Sequence, residues 1–357
     1  MKDKPFVAPS DRSVLIFRRG SIGDAVVSVP ALNEIARRHP NAQRWILTNL
    51  PVMETAAALQ TVLKNSTLVH GFISLPPGGG GLASLWAVIR RIQALGPDRL
   101  IYLSEPSGFS ARIKEWLFFR LCGIHDMDGI YPAGGFGTYR QVADGLWEAE
   151  SSRLLRAIGA ESAIPDWTFP FLDSERAEAA SHIAGWPGRS RYILFSLGAK
   201  LPDKDWGDAN WTRVLAALSQ SAPDLGLLAI GAADESARTR RVLAAWRGPT
   251  LDLCGRTPPR ISALVGEGAV FYLGHDSGPM HLAALVGTPC IAVFSARAKP
   301  GVWFPRGQRN RIFYPWAAEP GTPARAGFRS AGTSIGTIEP DQVIAAAIEL
   351  LATPARS

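Results

Sequence analysis

The stretch that decides the fold is Ala269-Val270-Phe271-Tyr272-Leu273-Gly274-His275-Asp276-Ser277-Gly278-Pro279-Met280-His281-Leu282-Ala283-Ala284-Leu285-Val286-Gly287-Thr288-Pro289-Cys290-Ile291-Ala292-Val293-Phe294. Ala269–Leu273 is a short apolar run, the signature of a buried strand. Gly274 to Pro279 is a turn in which Ser277 suits an N-cap and Pro279 suits the first helical turn. A helix to about Val286 and a second apolar run, Pro289–Phe294, complete a strand–helix–strand unit.

The same alternation runs outward through the chain. In the first half, Val14–Phe17 reads as a strand, followed by Gly20-Ser21-Ile22-Gly23-Asp24 and a helix from about Ala25 to Arg38 interrupted at Pro30. Strands at Arg44–Thr48 and Arg99–Leu103 and helices at Leu82–Leu95 and Ser110–Leu121 follow, the last with Ile113, Leu117, Phe118 and Leu121 on one face. In the second half, strands are expected at Tyr192–Ser196 and Leu227–Ile230. Helices are expected at Trp211–Leu218, at about Asp234–Trp246 and at Pro340–Leu351, where Asp341 suits the helix dipole. Strands alternating with helices predict an α/β protein with two parallel sheets. A length of 357 residues agrees, since domains run to ~100–200 residues. The Pro-rich stretch Ala163–Leu172 marks the linker, giving domains of 1–170 and 171–338 and a closing segment, 339–357.

With 46% apolar and 19% charged residues the chain is globular. Its formal charge of +7 raises anionic partners. The basic residues are spread over both halves without the interleaved aromatics of a nucleic-acid platform, so no nucleic-acid partner is expected. Cys122, Cys254 and Cys290 lie far apart with no CxxC and read as free thiols in a reducing compartment. Met1–Arg12 is polar and predicts no signal peptide, and no run approaches the ~20 apolar residues of a membrane span. The expectation is a cytoplasmic protein for which peripheral membrane contact stays open.

Four strand-end turns carry candidate chemistry. In Arg18-Arg19-Gly20-Ser21-Ile22-Gly23-Asp24, the glycines allow close backbone approach and the helix start favours anions. Asp24 either balances the helix dipole or aims a carboxylate at a ligand. Ser277, Gly278, Met280 and His281 offer a second anion-binding helix start, for which Asp276 and the histidines are not needed as caps. In Leu197-Gly198-Ala199-Lys200-Leu201-Pro202-Asp203-Lys204-Asp205-Trp206, Lys200 and Lys204 are either phosphate-binding point charges or solvated loop residues. In Ile230-Gly231-Ala232-Ala233-Asp234-Glu235, Glu235 either bonds a ribose hydroxyl or is a first-turn acid. Arg112, Lys114 and Arg120, with Arg19, could flank an anionic acceptor or lie on solvated faces. Asp126-Met127-Asp128 and Asp203-Lys204-Asp205 match the short DxD pattern of metal-dependent sugar transfer, which arises often by chance. No zinc, HExxH or GxSxG pattern occurs.

Taken in order, these motifs resemble glycosyltransferase family 9, the heptosyltransferases of lipopolysaccharide assembly. The matches are Ser21-Ile22-Gly23-Asp24 with Pro30-Ala31-Leu32, then Gly198-Ala199 with Lys204-Asp205-Trp206. Asp234-Glu235, Leu253-Cys254-Gly255-Arg256-Thr257, Asp276 through Pro289 and Trp303-Phe304-Pro305 follow. Gly20 departs from the bulkier or hydroxyl residue frequent there. The resemblance implies a GT-B fold of two Rossmann-like domains facing a central cleft, with the closing helix packing back toward the first domain. It implies metal-independent, inverting transfer from a nucleotide-diphosphate sugar, ADP-heptose by preference, to a lipopolysaccharide-type or other glycan or glycolipid acceptor, with no cofactor. By position, Asp24 resembles the general base and Lys204 the lysine that stabilises the departing diphosphate. Asp276 resembles the group contacting the donor sugar and Glu235 the ribose-binding acid. Ser277, Gly278, Pro279 and Met280 resemble the phosphate-binding helix start, and Ser21, Gly23, Lys200 and His281 join the donor set. Another nucleotide sugar, a non-catalytic sugar-nucleotide binder and an epimerase on similar architecture remain alternatives.

Overall fold

A computed structural model of the chain describes residues 12–49, 58–76, 81–104, 108–130, 138–199, 201–315 and 334–352. Lys200, the glycine-rich 77–80 and the polar 1–11 lie outside the described residues.

The first part runs β1 (Ser13–Phe17), α1 (Ile22–Val27), α2 (Val29–Arg38), β2 (Gln43–Asn49), α3 (Gln60–Leu63), β3 (Gly71–Leu75), α4 (Leu82–Leu95), β4 (Arg99–Tyr102), α5 (Phe109–Leu121) and β5 (Asp126–Asp128). A small hairpin, β6 (Gln141–Ala143) with β7 (Leu146–Trp147), precedes α6 (Glu150–Ala157). The second part runs α7 (Asp173–Ile183), β8 (Tyr192–Ser196), α8 (Asp208–Ser221), β9 (Gly226–Ala229), α9 (Ser236–Leu243), β10 (Thr250–Asp252) and α10 (Pro259–Glu267). It continues through β11 (Tyr272–His275), α11 (Gly278–Leu285), β12 (Cys290–Val293), β13 (Arg311–Phe313) and α12 (Pro340–Ala352).

Two compact units result. The first comprises 12–140 and 148–170 among the described residues, and the second comprises 141–147 and the chain from Phe171 onward. The β6–β7 hairpin therefore belongs to the second unit, although the sequence assigned it to the first domain. Its reason is local: Trp147 donates its N–H to the Pro300 carbonyl, and Lys299 lies over the Trp147 ring.

The first unit holds a five-stranded parallel sheet in the order β3-β2-β1-β4-β5. The second holds a six-stranded parallel sheet in the order β10-β9-β8-β11-β12-β13. Both orders reverse beside the first strand of the unit, which is where a doubly wound sheet binds its ligands. The loops leaving β1, β8 and β11 at these two points carry the motifs read from sequence.

Each sheet is apolar because it is covered on both faces. Along β8, Ile193 and Phe195 enter a cluster with Trp211, Val214 and Leu218 of α8, while Tyr192 and Leu194 enter another with Met280 and Ala283 of α11. In the first unit Leu15, Phe17, Leu100 and Tyr102 pack with Ile89 and Ile92 of α4 and Phe119 of α5.

Three readings need correction. The first helix starts at Ile22 rather than near Ala25, because Ser21 takes the N-cap position, and it breaks at Ser28 ahead of Pro30. The strand expected at Ala269–Leu273 is β11, Tyr272–His275, so Gly274 and His275 are ladder residues opposite Ala292 and Val293. The expected apolar face of α5 is the exposed one: Phe119 and Cys122 are buried, whereas Ile113, Leu117 and Leu121 are exposed. The closing helix α12 contributes Val343, Ala347 and Leu350 to the second unit's own core beside α8.

Candidate functional site

In the first unit the site is built on the end of β1. The Asp24 carboxylate, third residue of α1, turns back and accepts the Ser21 N–H at Oδ2 (2.8 Å). This is the reciprocal half of a capping box, so Asp24 does serve the helix start. Its Oδ1 accepts from Nη2 of Arg18 at 3.1 Å. Arg18 is buried and gives its other nitrogen to the Leu103 carbonyl (2.7 Å) and to Oε1 of Glu150 (2.8 Å). Glu150 also accepts two bonds from Arg153 and one from the Tyr139 hydroxyl. Burial pushes the Glu150 carboxyl up, but hydrogen bonding from Arg153 and the charge of Arg18 outweigh it and leave it below the usual carboxylate range. Asp24 thus stands on a rigid buried chain of charge, with its side chain only 21% exposed.

Gly20 makes this geometry possible. Its φ is +138°, and a Cβ there would lie 2.0 Å from the Asp24 carboxylate carbon. The carboxylate occupies the space that a side chain at position 20 would need.

In the second unit the loops after β8 and β11 meet. Lys204, on a short 3-10 turn, donates from Nζ to Oδ2 of Asp276 at 2.7 Å. Asp276 is buried, and its Oδ1 lies 3.9 Å from Nε2 of His281. Ser277 caps α11 in extended conformation with Pro279 in the first turn, so the Gly278 and Met280 N–H groups have no acceptor within the helix. Nearby, Glu235 accepts the Ala232 N–H at 2.8 Å. Its carboxylate lies so close over two strand-end glycines that a Cβ on Gly198 or Gly231 would come within 2.2 Å or 2.4 Å of it. The two glycines of separate motifs thus serve one acid.

His275, which the helix start does not need as a cap, is a structural knot. Its Nε2 accepts from the Trp206 N–H (2.9 Å) and the Trp211 indole N–H (3.2 Å), while Nδ1 lies 3.2 Å from the Leu197 carbonyl. These partners fix the neutral tautomer with its proton on Nδ1. Burial pushes its pKa down to about 4, against the opposing charge of Asp205. His275 ties the loop bearing Lys204 to the end of β11, next to Asp276.

The DxD matches are engaged by arginines. Asp203 pairs with Arg297 at 2.7 Å and Asp205 with Arg238 at 2.6 Å. Burial pushes the Asp205 carboxyl up, and hydrogen bonds from Arg238 and the Gly207 N–H overcome this and hold it below the usual range. Asp126 and Asp128 form edge strand β5 and face Arg99. Of the acceptor candidates, Arg19 pairs with Glu115 of α5 at 3.4 Å. Arg112 is half-buried on α5, and Lys114 and Arg120 are exposed there. Sequence reasoning missed Arg18, Glu150 and His275 as functional supports. Arg18 lay inside the quoted motif, but its partner Glu150 is 132 residues away and leaves no local signal.

Residues 150–323 match the model of glycosyltransferase family 9 (heptosyltransferase). Over 285 residues the chain is 23% identical to lipopolysaccharide heptosyltransferase 3 of Escherichia coli K12, covering 77% of this chain and 80% of that protein. The family 9 glycosyl transferase structure from Veillonella parvula superposes with a TM-score of 0.70 at 16% identity, over 96% of this chain and 98% of that one. The E. coli ADP-heptose lps heptosyltransferase II gives 0.65 at 16%, over 95% and 98%. The two doubly wound units share the GT-B fold of these structures, and the family match makes the chain a glycosyltransferase. Residues 150–323 thus carry a glycosyltransferase family 9 (heptosyltransferase) domain.

Proposed function

We propose that the chain transfers heptose from ADP-heptose to a glycan acceptor of lipopolysaccharide type, with inversion and without a metal ion or cofactor. The observation that carries this reading is the Lys204–Asp276 pair at the N-terminus of α11. There a lysine, a buried carboxylate and free backbone N–H groups converge, as a sugar diphosphate requires. The helix start and Lys204 would receive the negative charge that develops on the departing diphosphate, and pre-oriented donors do this without reorganisation. Asp276 would hold the sugar, and Glu235 the ribose.

The first unit would supply the base. Asp24 takes the proton of the acceptor hydroxyl while that oxygen bonds to the anomeric carbon and the bond to the diphosphate oxygen breaks. One displacement gives one inversion. Arg18, on the opposite carboxylate oxygen, is a positioning residue. The acceptor is a glycan or glycolipid, and a lipid-carried one would be met at a membrane surface. The names of the relatives support the donor and acceptor classes, since heptosyltransferase II is named for ADP-heptose and heptosyltransferase 3 for lipopolysaccharide.

The test is turnover with ADP-heptose and a deep-truncated lipopolysaccharide, with the product anomer read by NMR. The expected product is inverted and its formation is insensitive to EDTA. A retained anomer or strict metal dependence overturns the mechanism. Tight binding of the donor with no transfer to any glycan would leave a sugar-nucleotide binder, and UDP-, GDP- or dTDP-sugars outcompeting ADP-heptose would reassign the donor.

A further inference from the structure

The face of the first unit formed by α4 and α5 has no covering element among the described residues. The two helices are neighbours: the Gln93 side chain of α4 donates to the Leu121 carbonyl of α5 at 2.9 Å. Both pack inward through Val88, Ile89, Ile92 and Phe119. Outward, α5 presents Ile113, Trp116, Leu117 and Leu121, a spacing that places them on one stripe, and Leu121 is 61% exposed. On α4, Leu82 is 89% and Trp86 55% exposed. Single exposed apolar residues are ordinary, but four on one stripe of α5, with a tryptophan among them, mark an interaction surface.

The charge of the same helices selects the partner. They carry five basic residues, Arg90, Arg91, Arg112, Lys114 and Arg120, against one acid, Glu115. That acid is taken by the Tyr102 hydroxyl at 2.7 Å and by Arg19. Arg120 lies 5.3 Å over the Trp116 ring, an arginine and an indole at the rim of an apolar stripe. Tryptophan and leucine beside arginine and lysine on exposed helix faces is the composition that seats a helix in the headgroup layer of an anionic bilayer.

The geometry points to α4 and α5 as a docking surface for an anionic membrane. Glu115 connects this face to Arg19, the residue before Gly20, so a docked chain would hold the end of β1 and Asp24 close to the lipid headgroups. The inference rests on the lipid-carried acceptor for its purpose. Its test uses neither donor nor acceptor, so failure of the transfer reading leaves the result unaltered.

The experiment is flotation of the full chain with phosphatidylethanolamine–phosphatidylglycerol vesicles and with phosphatidylcholine vesicles. Binding to the anionic vesicles is expected to exceed binding to the neutral ones by about tenfold or more and to fall with salt. Two variants at exposed positions, Trp116→Ser with Leu117→Ser and Arg90→Glu with Arg91→Glu, should each lose about tenfold in binding to the anionic vesicles. Unchanged thermal unfolding of both variants attributes those losses to the surface. Equal binding to both vesicle types, or variants that float like the parent chain, overturns the proposal. So does a dimer in light scattering that the apolar variant dissolves, because the face would then belong to a second copy.

Discussion

At Gly20 a methyl group would meet the Asp24 carboxylate at 2.0 Å, on a residue whose φ of +138° already excludes most side chains. Gly20→Ala is expected to destabilise the first unit by ~2 kcal/mol or more, through backbone strain and displacement of the carboxylate together. Denaturant unfolding measures it, and stability equal to the parent would mean that the turn relaxes freely. Asp24→Asn keeps the size of the side chain and an oxygen that can cap α1. It should therefore lower kcat by ~10²–10⁴ with little loss of stability, the range for removing a general base. A kcat within a few fold of the parent would assign Asp24 to the helix cap alone.

The element that matters most is the pair of loops after β8 and β11. Lys204 reaches Asp276 because His275 holds both loops together, accepting from Trp206 on one side and packing edge-on against Trp211. Burial depresses the His275 pKa to about 4, so the unfolded chain takes up its proton more readily than the folded one. The stabilising effect is complete above the ordinary histidine value near 6.5 and is lost progressively as pH falls toward 4. Melting temperature should drop over that window, and His275→Gln should flatten the slope there while weakening donor binding. A parent chain with pH-independent melting between those values would exclude a buried neutral His275. Lys204→Gln is expected to lower kcat more than it lowers the melting temperature, because the partly exposed lysine is placed for charge that appears during the reaction.

For the molecule as a whole, each unit has its own core and its own means of fixing its site. The first unit uses a buried cluster in which Glu150 joins Arg18 and Arg153, and Glu148 joins Arg156. Truncating one member of such a cluster leaves buried charge uncompensated. Glu150→Gln should cost the first unit ~3 kcal/mol, read as faster hydrogen exchange in its peptides with the second unit's peptides unchanged. Because the folded Glu150 carboxyl titrates below its ordinary range, its contribution is complete above about pH 4.5 and is lost as pH falls through the folded value. Exchange accelerated equally in both units, or unaffected in the first, would show that the cluster is not what holds Asp24 in place. No helix among the described residues is long and apolar enough to cross a membrane.

The amino-acid sequence by itself determined the alternation of strands and helices, and hence two parallel sheets. It also determined which turns would stand at the strand ends, because periodicity, N-caps and glycines act within a few residues of one another. Asp24, Lys204, Glu235 and Asp276 were legible as candidates for that reason. Sheet order decided the rest. Arg18 finds Glu150 across 132 positions, Lys204 finds Asp276 across 72, and His275 finds Trp211 across 64. Those partners meet only once β1 lies beside β4 and β8 beside β11. The same holds for α5, whose two apolar faces look alike in sequence. Packing on the sheet buries Phe119 and leaves Trp116, Leu117 and Leu121 outside, because a helix can give a sheet only one of its sides.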